Sequence, residues 1–184
     1  GLVVENYREQ AKGFGYRIEI WRNGHVEFGI RLDAYVRSWT QLLEQGRLPT
    51  DWRAADRRNT CTKILEFRDC THAVENQGLL MATLWGRGAL PFNDMVLTAQ
   101  LTNASGLCLF EQTGCLTGRP LESGLEYSYV VSRDGAGGHP SPHALITPTI
   151  QRFVNSFGLV LAEPFDSGGR IQLPQLLGSR SAGK

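Results

Sequence analysis

The sharpest alternation of apolar and polar positions lies between Gly15 and Arg31. Tyr16, Ile18 and Ile20 alternate with Arg17, Glu19 and Trp21, and Val26, Phe28 and Ile30 repeat the pattern after Asn23-Gly24. A period of two marks half-buried strands, and Asn-Gly supplies the positive φ angles of a tight turn, so a β-hairpin is expected. The period then lengthens. Leu32, Tyr35, Val36, Trp39, Leu42 and Leu43 recur at helical spacing, which predicts a helix from Leu32 to Gly46 with Asp33 as its cap. A short strand is expected over Lys63 to Arg68. A second helix follows over His72 to Trp85, capped by Asp69 or Thr71, with Val74, Gly78, Met81 and Trp85 on one face.

Asp94 to Thr102, Leu107 to Glu111 and Leu125 to Ser132 read as three strands of a meander. Met95, Leu97, Ala99 and Leu101 share a face of the first, and Leu125, Tyr127, Tyr129 and Val131 share a face of the last. Thr147-Pro148 reads as cap and first position of a final helix, with Ile150, Phe153, Val154 and Phe157 as its apolar stripe. The order is hairpin, helix, strand, helix, meander, helix. It predicts an α+β domain with a mainly antiparallel sheet of hairpins and about three packed helices. The 184 residues suit one domain, expected over residues 1–178, with a frayed tail over residues 179–184. The first residue is Gly, which leads to the expectation of a piece of a larger protein.

Composition narrows the class. Hydrophobic residues at 41% and charged residues at 20% allow a core without disulfides. Lys and Arg total 19 against 18 for Asp and Glu, a net charge of +1, which argues against a polybasic arm but not against a local basic face. Arg47, Arg53, Arg57 and Arg58 are such a cluster, with Trp52 among them. Guanidinium groups suit phosphates and an aromatic ring can stack a base, so these five are candidate nucleic-acid-binding residues. Glu44, Asp51 and Asp56 lie beside them, the composition of a solvated, mixed-charge connector. No apolar run is long enough to cross a membrane, and the charged start from Leu2 to Lys12 is no signal-peptide core. A cytoplasmic protein without a membrane partner is expected.

Catalytic motifs are scarce. There is no GxxxxGK[ST], no GxGxxG leading from a strand into a helix, and no GxSxG, so no cofactor is implied and no catalytic residue is assigned. Cys61, Cys70, Cys108 and Cys115 form no CxxC pair and read as ordinary buried thiols, with no metal site expected. His139 and His143 fall in a Pro-containing loop. The alternative of a hydrolase rests on Glu66, Cys70 and His72, although Glu66 and Arg68 read equally as an outward acid–base pair on a half-buried strand. The scarcity favours a non-catalytic ligand- or partner-binding domain. Its expected partners are other domains of a parent protein or a separate protein, with nucleic acid as the alternative.

Three segments carry a family resemblance: Ile18 to Phe28 around Arg22-Asn23-Gly24, the helix from Glu75 to Trp85, and Pro91-Phe92 leading into the strand to Leu101. Ala144-Leu145-Ile146-Thr147-Pro148 adds a short apolar run before the last helix. Together they resemble the C-terminal part of bacterial Schlafen-AlbA-2 type proteins, a group described as DNA-binding and ATP-binding. That family's acidic nucleic-acid-handling domain lies N-terminally and has no counterpart in this chain. The resemblance therefore implies an accessory domain of a larger bacterial protein, linked to nucleic-acid handling or defence, and it transfers no functional residue.

Overall fold

The computed structural model describes residues 2–6, 16–20, 25–30, 32, 35–48, 63–90, 93–111, 116–132 and 141–176. Strands β2 (Tyr16–Ile20) and β3 (Val26–Ile30) form the expected antiparallel pair, Ile18 opposite Phe28. The Asn23-Gly24 turn lies outside the described residues. An additional strand, β1 (Leu2–Asn6), pairs with the other edge of β2.

The helix expected from Leu32 is shorter than its apolar spacing implies. Val36 and Arg37 form β4 (Val36–Arg37), opposite Leu65 and Ile64, and α1 (Trp39–Glu44) begins only after Ser38. The Ser38 hydroxyl accepts from the Gln41 amide, and the Gln41 side chain accepts from the Ser38 amide. This reciprocal cap fixes the start at Trp39, and the ladder bonds of β4 prevail over helical spacing upstream. Asp33, the expected cap, lies outside the described residues.

Strand β5 (Lys63–Glu66) runs antiparallel to β4 and parallel to β7 (Leu107–Glu111), whose far edge takes β8 (Leu116–Thr117). The expected meander is therefore broken. Strand β6 (Asp94–Leu101) does not pair with β7; it pairs along its whole length with β9 (Leu125–Ser132). The sequence of β7 explains why. Leu-Cys-Leu-Phe is apolar at successive positions and all five residues are buried, which requires neighbours at both edges and cover on both faces. Strands β6 and β9 alternate and suit a ribbon with one wet face. Among the described residues the ladders other than the β5–β7 pair are antiparallel, and the fold is α+β as expected.

Helix α2 (Phe67–Gly86) starts five residues before its expected beginning. Glu66 is still extended, at φ −78° and ψ 132°, and the chain turns into the helix with no loop, so neither Asp69 nor Thr71 is a cap. Helix α3 (Pro142–Ser156) also starts early. Ser141 caps it by accepting from the Ala144 amide, Pro142 occupies the first position, and Pro148 lies inside the helix. The Thr147-Pro148 pair resembles a start signal, but Ser141-Pro142 makes the same signal six residues earlier and prevails. Strand β10 (Leu159–Val160) follows α3, and past Pro164, where only a change of composition was evident, the chain returns as β11 (Gln175–Leu176) to pair with it.

The β4–β5–β7–β8 sheet carries apolar side chains on both faces. Ile64, Cys108 and Phe110 pack with Trp39, Leu42 and Leu48 under α1, Trp39 meeting Phe110 edge-on at 5.7 Å. Leu65 and Leu109 face the larger core with Phe67, Trp85, Ile150 and Phe157. Of the cysteines, Cys70 is a free buried thiol as expected, but Cys108 is disulfide-bonded. Cys61 and Cys115 lie outside the described residues.

Candidate functional site

Helices α2 and α3 meet at Gly78. A Cβ there would lie 2.6 Å from Ile146 Cγ2 and 2.9 Å from the Pro142 carbonyl, so only glycine permits this approach. The β6–β9 ribbon leans on the same pair through its tyrosines. Tyr127 donates to the Thr149 carbonyl at 3.1 Å, and Tyr129 donates to the Leu145 carbonyl at 2.6 Å, with Thr149 Oγ1 2.7 Å away. Pro148 has no amide hydrogen, so the α3 ladder is interrupted here, and the tyrosine hydroxyls meet carbonyls beside the interruption. Burial keeps both phenols above their ordinary value and therefore neutral.

Between these elements lies a cavity of about 760 Å³. Helix α2 contributes Cys70, Thr71, Val74, Gly78 and Met81, and α3 contributes Leu145, Ile146, Ile150 and Phe153. The ribbon contributes Leu97, Ala99, Leu101, Tyr127 and Tyr129. Val36, Leu107 and Lys63 close the end near the sheet. Ala99 is the small member of the inward row on β6 and stands opposite Tyr127, which keeps the space open. Burial, aided by the nearby Asp69 charge, pushes the Cys70 thiol up to about 12, so it is a neutral, unreactive part of the wall.

The hydrolase candidates do not converge. Cys70 is buried in the cavity wall, while the His72 side chain is 80% exposed two positions on and contacts Glu75 at 3.1 Å. Two residues of a helix differ by about 200° around its axis, so they face apart. Glu66 is not the outward partner of Arg68 that alternation implied. The strand ends at Glu66, which is 3% exposed and lies on the α1 side of the sheet, paired with Arg47. Arg68 is exposed on the first turn of α2. Burial raises the Glu66 carboxyl above its ordinary value despite Arg47, and Glu66 Oε1 has no hydrogen-bond partner.

Arg47 is therefore half-buried and engaged by a carboxylate rather than presented to a phosphate. Trp52, Arg53, Arg57 and Arg58 lie outside the described residues. His143 is on the first turn of α3 instead of in a loop, stacked on Phe165 with ring centroids 4.0 Å apart, and His139 is outside the described residues. Among the described residues there is no group of three His, Cys, Asp or Glu able to hold a metal ion, and no helix long and apolar enough to cross a membrane.

The inward rows of β6 and β9 and the Val74–Gly78–Met81 face were readable as core positions. That they line a space was not, because a cavity depends on how far apart three elements stand. No protein-family model, curated protein or solved structure matches the chain.

Proposed function

We propose that this chain is a non-catalytic domain that binds a small, largely apolar ligand between α2, α3 and the β6–β9 ribbon. The cavity carries this reading. Its roughly 760 Å³ falls within the range of about 300–1,000 Å³ typical of ligand sites. Protein interiors are otherwise close-packed, and side chains around a void forgo dispersion contacts that an occupant would restore. Along the middle of the wall, Tyr127 and Tyr129 are already committed to α3 and Thr71 to its own helix, which leaves that stretch largely apolar. The reading agrees with the accessory role implied by the Schlafen-AlbA-2 resemblance, where the ligand or a parent domain would be the partner.

A nucleic-acid role through Arg47 to Arg58 gains no support from Arg47, whose charge is met by Glu66. A cytoplasmic location was expected from the charged start of the chain together with the lack of an apolar run of membrane length. The disulfide at Cys108 weighs against it, since disulfides persist chiefly in oxidising compartments.

The test uses Nile red, an uncharged apolar dye. Saturable binding with blue-shifted emission is expected for the native chain. Ala99→Trp, which fills the space beside Tyr127, should abolish binding while leaving the far-ultraviolet circular dichroism and the thermal midpoint intact. Dye that binds neither saturably nor with a spectral shift, or that binds Ala99→Trp unchanged, would defeat the proposal.

A further inference from the structure

The cavity is asymmetric in charge. Among the described residues that line it, Lys63 is the one charged side chain, and none is an acid. Lys63 opens β5 opposite Leu107, is exposed, and extends its ammonium toward the Ser105 carbonyl at 3.5 Å. That single long contact leaves other N–H donors of the ammonium free. Thr102 and Asn103, both exposed, line the cavity at the same turn and add neutral donors.

From this polar end the lining follows the inner face of β6 through Leu101, Ala99 and Leu97, the last opposite Tyr129. Four residues of strand span about 13 Å. The space is thus elongated and largely apolar, with a cation and neutral donors at one end and no carboxylate among the described residues that line it.

Resting on the ligand-binding reading above, we infer that the ligand is an amphipathic anion, a straight-chain carboxylate whose head group pairs with Lys63 and whose chain lies between α2 and the β6–β9 ribbon. An alkyl cation meets the wrong charge at the polar end. An uncharged alcohol of equal length keeps the apolar contacts but forgoes the ion pair.

The experiment displaces Nile red from the full chain with decanoate, decanol and decyltrimethylammonium, each below its micelle concentration, at neutral pH and low salt. Decanoate should displace the dye at about fivefold lower concentration than decanol, the scale of a partly exposed ion pair, with the cation weakest. Lys63→Met should remove the preference for decanoate and leave decanol unchanged, and Lys63→Arg should keep it. Equal displacement by decanoate and decanol, or a preference that survives Lys63→Met, overturns the inference while bound dye still upholds the cavity reading. If neither the dye nor any of the three ligands binds, both are overturned.

Discussion

Tyr129 ties the ribbon to α3 with one hydroxyl that meets the Leu145 carbonyl at 2.6 Å and the Thr149 hydroxyl at 2.7 Å. Tyr129→Phe keeps the ring and removes this bond, leaving a carbonyl in a poorly solvated position. A loss of about 1–2 kcal/mol is expected in denaturant titrations, the size of a buried hydrogen bond with one partner deleted. An unchanged midpoint would mean that the hydroxyl is not what holds the ribbon. Glu66 makes a different statement. Its carboxyl is raised by burial above the ordinary 4.5, so the folded state retains a proton that the unfolded state has released. Stability should therefore fall as pH rises from about 4.5 through the raised value. Glu66→Gln should flatten that decline in unfolding midpoints measured across acidic pH, and an identical slope in both proteins would reject the assignment. The apolar character of Ala99, Tyr127 and Tyr129 was evident from alternation. The inward position of Glu66 was not, because its neighbour Phe67 was taken as strand when the chain had already turned into helix.

At the scale of elements, the close approach of α2 and α3 rests on Gly78. Alanine there gains about 1 kcal/mol of helix propensity. Its methyl group meets the Pro142 carbonyl, which cannot move without moving α3, and overpacking of this kind costs about 1–3 kcal/mol. Gly78→Ala should therefore be net destabilising by up to about 2 kcal/mol in thermal or denaturant unfolding, and it should weaken Nile red binding by spreading the helices. A stabilised variant would show that the helices have room to separate. The same scale accounts for the misread helix starts. Helical spacing upstream of Trp39 was real, but Val36 and Arg37 found ladder partners on β5. Thr147-Pro148 is a sound start signal overridden by an earlier Ser141-Pro142.

For the whole molecule, β7 is the hinge of the architecture: it joins β5 to β8 and presents both faces to core. Cys108 lies within it, fully buried and disulfide-bonded. Reduction is expected to lower global stability by about 2–4 kcal/mol, read as a shift of the unfolding midpoint with and without reductant. Alkylation of the unreduced, denatured chain should label Cys70 but not Cys108. Labelling of both would refute the bond, and an unshifted midpoint would deny it a structural role.

Much of this protein follows from local chemistry. The Asn23-Gly24 hairpin pattern, the inward rows of β6 and β9, the stripe of α3 and the α+β class need only periodicity and turn residues, which act over a few neighbours. Strand partnership does not. Strand β7 lies beside β5 rather than β6, and nothing within five consecutive residues specifies which edge will receive them. The cavity is more remote still from the linear pattern. It exists because Gly78 sets one distance, two tyrosine hydroxyls set another and Ala99 leaves a gap. Three separated segments must be assembled before the space between them has a shape, or a charge at one end.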